Sequence, residues 1–205
     1  MADETQDLKK VQWLLTRILE ELDRVCRAIG VEYAVYGGTA IGAVRHGGFI
    51  PWDDDIDVMM TREHYERFLA EAPAVMDPRF RLDNTRTRDD FPFMFTKMVV
   101  PGTLLVPEAD KDAAYRMPFF LDILPLDAVP DDGAAFKAMS RRSWWWGRLL
   151  FVRGTPRPHL VGVSGAKRAR RVRGCRPSLS GLRLASRRAM RFLIMPGLRV
   201  FARRL

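Results

Sequence analysis

The sequence predicts a mixed α/β or α+β domain that ends between residues 132 and 152 and is followed by a basic extension. Three observations carry this. Apolar residues recur first at helical and then at alternating spacing, in the order helix, strand, helix, strand, helix, strands. Nearly half of the 205 residues are apolar, enough for the core of one ordinary domain. The charge is divided: all 25 acidic residues lie at or before Asp132, where 15 Lys and Arg leave a balance of −10, whereas 133–205 hold 19 Lys and Arg and no acid. With the helical stretch up to residue 152 kept in the domain, beyond which periodicity fades, the division is 1–152 and a basic tail 153–205.

The elements follow in order. Leu8, Val11, Leu15, Ile18, Leu22, Val25 and Ile29 mark one face of a helix over 7–29, with Gly30 as its stop. VEYAVYGG reads as a short strand ending in a glycine pair, and TAIGAVRHGG as a helix opened by Thr39 and closed by Gly47 and Gly48. FIPW is a loop and DIDVMM alternates as a strand. Thr61 is the N-cap of REHYERFLAEA, a helix expected to end at Pro73. RFRLDNT and FMFTKMVVPGTLLV read as strands, and PFFLDILPLDAVP as another, ended by its prolines. DGAAFKAMSRRSWWWGRLLFV reads as a helix, and LASRRAMRFLIM as a basic amphipathic one.

Composition excludes several classes. Cys26 and Cys175 make no disulfide framework and no metal-type spacing, which points to a reducing compartment. MADETQDLKK lacks the basic start and apolar centre of a signal peptide. No apolar run approaches the roughly 20 residues of a membrane span; WWWGRLLFV is short and carries Arg148. The expected place is cytoplasmic, with a peripheral position on the inner face of the membrane if the basic tail binds anionic lipid. No specific nucleic-acid partner is expected.

The chemistry concentrates in four places. Gly37, Gly38 and Thr39 form a strand-to-helix turn whose free N–H groups suit a phosphate, though glycine pairs usually only make turns. Asp53, Asp54, Asp55 and Asp57 crowd five positions, and on a strand Asp55 and Asp57 share a face. Two carboxylates side by side suit Mg²⁺ or Mn²⁺; the competing reading is a solvated acidic turn. Asp122 interrupts the apolar run FFLDIL, so it is a buried carboxylate that needs a partner or a metal. Were its strand a neighbour of DIDV, Asp55, Asp57 and Asp122 would converge as a phosphoryl-transfer site. Lys97 is a lone cation in an apolar strand, facing either a site carboxylate or a substrate phosphate. Arg45 and His46 end the glycine helix, within reach of phosphate or sugar oxygens, or simply capping it. Trp52 beside the aspartates reads as core packing or as a stacking surface for a base. Trp144–Trp146 with Arg141, Arg142 and Arg148 read as an interfacial helix or a buried face.

YGGTAIGAVRHGGFIPWDDDIDVMMTREHYERF closely resembles the signature of the LicD family, phosphotransferases of the nucleotidyltransferase superfamily typified by lipopolysaccharide and teichoic-acid cholinephosphotransferases. LDILPLDAVP looks like the family's second motif, and the resemblance covers about residues 28–130. The fukutin-related sugar-phosphate transferases share the glycine turn and the aspartate cluster. The resemblance implies a nucleotidyltransferase-like fold, a small mixed sheet flanked by helices. It implies Asp55, Asp57 and Asp122 as catalytic, metal-binding carboxylates and Gly37, Gly38 and Thr39 as the glycine turn. It further implies transfer of phosphocholine, or a related phospho-alcohol, from a CDP-linked donor to a sugar hydroxyl of a surface glycan or its lipid-linked precursor. The family's aromatic, Tyr-Gly-containing closing segment has no counterpart here. The tail therefore reads either as a basic arm for anionic lipid or as a truncated or frame-shifted end. Two other functions stay open: a catalytically impaired relative whose tail binds membrane or nucleic acid, and a nucleotidyltransferase that attaches a nucleotide.

Overall fold

The structure is a computed structural model that describes residues 2–105 and 115–154. The elements run α1 (Ala2–Ile29), β1 (Ala34–Val35), α2 (Gly37–His46), β2 (Asp57–Thr61), α3 (Arg62–Val75), β3 (Arg81–Asp83), β4 (Thr96–Val100), β5 (Phe119–Leu126) and α4 (Gly133–Gly154). The fold is α+β, as the apolar spacing predicts, and the five strands form one mixed sheet in the order β1-β2-β5-β4-β3.

The chain divides into two compact units. The first holds the sheet with α1, α2 and α3. Its core lies between one sheet face and two helices: Leu15, Ile18, Leu22 and Val25 of α1 and Tyr65, Phe68 and Ala72 of α3 pack with Val58, Met60, Met98, Leu121 and Ile123. Alternation along each strand then turns the residues between these toward the opposite face. Tyr65 and Thr96, both buried, share a 2.6 Å hydrogen bond between their hydroxyls inside this layer. In the second unit Phe91, Phe93 and Tyr115 meet edge to face, with Phe91 and Tyr115 centroids 5.1 Å apart. Its helix α4 starts behind Asp132, which accepts from the Ala135 N–H at 2.7 Å, and exposes Trp144 and Trp145. The basic amphipathic segment expected after 154 lies outside the described residues.

Register carries the functional consequence. β2 and β5 run parallel with Asp57 opposite Asp122; β4 and β5 run antiparallel with Lys97 opposite Asp122; β3 and β4 are antiparallel with Asp83 opposite Lys97. Facing residues share a sheet face. One row across four strands therefore reads Asp83, Lys97, Asp122, Asp57 on the face away from the α1/α3 core.

Several boundaries differ from the sequence reading, each for a local reason. Helix α2 starts at Gly37, with Tyr36 as its extended N-cap, so Thr39 does not open it. Thr39 instead turns its hydroxyl to the Asp57 N–H. The strand before it shrinks to two residues, because it pairs with β2 alone. Pro73 sits inside α3 and does not end it: the last turn still closes through the Met76 N–H to Ala72 O at 2.9 Å, and a proline there forfeits only its own bond. Pro125 likewise lies within β5, opposite Met60. Asp55 precedes β2, although Ile56 and Val58 are buried and Asp55 and Asp57 half-buried, so the alternation persists beyond the ladder. Thr61 does cap α3, accepting from the His64 N–H.

Candidate active site

The glycine turn and the aspartate loop are built against one another. The Tyr36 N–H donates to Asp57 O and the Asp57 N–H to the Thr39 hydroxyl, both at 2.9 Å, so the start of β2 is stitched to the start of α2. Gly37 needs its glycine for a φ of +56°. At Gly38 the reason is proximity: a Cβ there would stand 2.7 Å from Asp53 Oδ2. No side chain caps α2, which leaves its first N–H groups available at the turn. Further along, Gly42 lets the backbone of Gly48–Ile50 lie directly on the helix; a Cβ would come 2.9 Å from the Ile50 nitrogen.

Four carboxylates and one cation meet here. Lys97 Nζ donates to Asp122 Oδ1 at 2.6 Å, with side chains 3% and 16% exposed, and rests 3.2 Å over the centroid of Phe120. Burial drives both members toward their neutral forms and their mutual attraction opposes it; the Asp122 carboxyl is pushed up to about 6. Asp55 is also pushed up to about 6, by burial first and then by the charges of Asp57, Asp53 and Asp54. Asp57 is raised by burial, with Lys97 pulling it back and Asp53 adding to the rise. Among the described residues, Asp53 Oδ2 is buried without a hydrogen-bond partner. A fold left to itself avoids such a gathering, since like charges and orphaned polar atoms both cost stability.

The residues fit a divalent cation on these grounds: hard oxygen donors held together, raised carboxyls and an orphaned oxygen. Among the described residues no three Asp, Glu, His or Cys side chains form a complete cage. Two carboxylates plus substrate phosphates is how Mg²⁺ is usually held, and Asp55 and Asp57 would be that pair. Asp122, expected as the third ligand, has given one oxygen to Lys97.

The expected substrate residues separate. Gly37, Gly38, Thr39 and Lys97 stand at the carboxylates. Arg45 and His46 lie in the last turn of α2, exposed. At 1.5 Å per residue they are about 12 Å along the axis from Gly37, at the opposite end of the helix. Trp52, read as core packing or as a stacking surface, is 77% exposed, which removes the core alternative.

Sequence reasoning missed three participants. Gln12 of α1 donates to Asp53 O at 2.8 Å and to Ile50 O at 3.4 Å, clasping the aspartate loop from a helix 41 positions away. Gly42 carried no signal beyond being a glycine in a helix. Asp83, fully buried in the register row, is held by both Arg81 Nε at 2.6 Å and Arg81 Nη2 at 3.0 Å; an Arg-x-Asp spacing on a strand was the available clue. Outside the site, Asp127 accepts two bonds from Arg62, at 2.6 and 2.7 Å, tying the end of β5 to α3.

Comparison with known proteins agrees with this geometry. Residues 30–113 match the model of the LicD/FKTN/FKRP nucleotidyltransferase domain. That span holds the glycine turn, the aspartates and Lys97, and leaves α1 and Asp122 outside. The chain is 33% identical over 125 residues to the lipopolysaccharide cholinephosphotransferase LicD of Haemophilus influenzae, 61% of this chain and 46% of the relative. It is 44% identical over 59 residues to the ribitol 5-phosphate transferase FKRP of Mus musculus and of Homo sapiens, 27% of this chain and 12% of theirs. The chain thus spans about half the length of the bacterial relative and a small part of the mammalian ones. Over residues 30–113, which carry the stitched glycine turn and aspartate loop, this chain is similar to the nucleotidyltransferase domain of the LicD family.

Proposed function

We propose that this chain is a phosphotransferase of LicD type. It moves phosphocholine, or a related phospho-alcohol, from a CDP-linked donor to a sugar hydroxyl of a surface glycan or its lipid-linked precursor. The observation that carries the reading is the register pair Asp57 and Asp122, with the glycine turn hydrogen-bonded onto Asp57 and Asp55 beside it. The relatives support the reaction class, since their names describe transfer of choline phosphate and of ribitol 5-phosphate.

In this reading Asp55 and Asp57 hold Mg²⁺ or Mn²⁺. When bound, the ion neutralises the donor diphosphate and the charge that develops on it. The N–H groups of Gly37–Thr39 receive phosphate oxygens at the start of α2. Asp122 takes the proton of the acceptor hydroxyl, whose oxygen bonds to the phosphorus bearing the alcohol while the bond to CMP breaks. Its raised carboxyl suits that task, and Lys97 orients it. Among the described residues no helix is long and apolar enough to cross a membrane; a peripheral position on the inner membrane face would bring the chain to a lipid-linked acceptor.

Calorimetric titration of CDP-choline, with and without Mg²⁺, tests the site on the wild type and on Asp55→Asn. Mg²⁺-dependent binding that the variant loses is expected. A folded wild type that ignores both CDP-choline and CDP-ribitol refutes the donor class, and metal-dependent binding that survives in Asp55→Asn and Asp57→Asn refutes the assigned ligands.

A further inference from the structure

The aspartate loop carries a feature that the metal does not need. Ile50, Pro51, Trp52 and Asp53 form a tight turn closed by the Asp53 N–H to Ile50 O at 2.9 Å. Pro51 fixes the second position of that turn. The turn is held from three sides. Phe49 packs on the core, the Gly48–Ile50 backbone rests on Gly42 of α2, and Gln12 of α1 donates to Asp53 O and Ile50 O. At its tip stands Trp52, 77% exposed. A large indole left in water on a backbone this well fixed forgoes the burial that a core position would give. Its conformational cost of presentation has already been met in folding.

We propose that Trp52 is the stacking surface for the base of the nucleotide-linked donor, and that Gln12 is the positioning residue that holds it there. The inference rests on the donor class proposed above. Position favours a base over other occupants. Trp52 lies three residues before Asp55, at most about 10 Å along extended chain. That is the reach of a nucleoside diphosphate from its base to its distal phosphate, so a donor whose phosphates lie at Asp55 and Asp57 can lay its base on the indole. Stacking accepts any base, because each presents a π-face. Discrimination among bases is left to other groups, and Trp52 supplies affinity for a nucleotide as such.

The test uses the full chain with Mg²⁺ and titrates CDP-choline into wild type, Trp52→Phe, Trp52→Ala and Gln12→Ala, following heat and indole emission. The wild type should bind with quenched emission. Trp52→Ala should bind about tenfold or more weakly, the scale of one base–aromatic stack. Trp52→Phe should keep most of the affinity and lose the quench. Gln12→Ala should weaken binding several-fold. In turnover these losses should appear in KM with kcat little changed, because stacking serves ground and transition state alike. Trp52→Ala binding as tightly as a binding wild type overturns the stacking surface and leaves the metal site standing. A quench that persists in Trp52→Phe overturns it as well. A folded wild type that binds nothing overturns the donor class and the stacking surface with it.

Discussion

Without its ligands the aspartate cluster should destabilise the protein, and the amount can be worked out. The Asp55 carboxyl sits at about 6, against 3.8 for the free side chain. Each tenfold change in acidity is worth about 1.36 kcal/mol, so ionising Asp55 in the folded chain at pH 7.5 costs at most about 3 kcal/mol. Asp55 is half-buried, and solvent screening reduces this to about 1–2 kcal/mol. The sign follows from proton binding. Between pH 4 and 6 the folded state holds a proton that the unfolded chain has released, so stability falls as pH rises through that window. Asp55→Asn removes the charge and keeps the shape. In EDTA at pH 7.5 the variant should therefore be more stable than wild type by about 1–2 kcal/mol in urea denaturation, and near parity at pH 4. Added Mg²⁺ should stabilise the wild type alone, and more strongly as pH rises, because the ion competes with the proton. A variant less stable than wild type in EDTA at pH 7.5 would refute the reasoning, since Asp55 would then be held by favourable contacts and not by the fold's tolerance of strain.

Two further substitutions test how the loop and turn are joined. Gly42→Ala gains about 1 kcal/mol of helix propensity but drives a Cβ against backbone, where overpacking costs about 1–3 kcal/mol. The backbone contact should win, giving net destabilisation of about 1 kcal/mol in urea and weaker CDP-choline binding through the displaced loop; a stabilised variant would contradict it. Thr39→Val removes the acceptor of the Asp57 N–H and should cost about 1–3 kcal/mol, with lowered transferase kcat/KM. Thr39→Ser keeps the oxygen and should restore both, and equal behaviour of the two variants would show that the hydroxyl does not position Asp57.

The elements of the domain were legible because α1 and β2 carry strong periodicity, and that periodicity is set by burial on one face. Leu15, Ile18, Leu22 and Val25 are all essentially inaccessible, as their spacing demands. Boundaries were less legible where tertiary bonds decide them. Thr39 looks like an N-cap in one dimension, yet its hydroxyl is taken by a residue 18 positions away. Pro73 looks like a stop, but at the last turn the penalty is small. In the site, the aspartates announced themselves by their density, and Asp122 and Lys97 by being charged within apolar runs. That Asp122 and Lys97 pair with each other depends on β5 lying between β2 and β4, and no local pattern specifies strand order. Gln12 was invisible for the same reason: a glutamine on the polar side of a helix says nothing about a loop 38 residues on.

The register row shows how the fold distributes its cations. Of the four charged positions across β3, β4, β5 and β2, Asp83 is clasped by Arg81 and Asp122 by Lys97. Among the described residues, Asp57, at the end of the row, receives the longer-range pull of Lys97, while Asp53 pushes it the other way and Asp57 in turn raises Asp55. Arg45 is carried away to the far end of α2, and Arg62, nearer in sequence, is engaged by Asp127 and Glu66. Were the acidic loop a solvated turn, a cation could have been placed beside it at no structural cost, as Arg62 is beside Asp127. The arrangement instead neutralises the carboxylates that hold the sheet face together and leaves those at the glycine turn with a deficit of positive charge. A deficit of this kind is relieved by a proton or by a mobile counter-ion. In the function proposed above, a metal–phosphate complex, which brings positive and negative charge together, would complement this position beside the first N–H groups of α2 better than either ion alone.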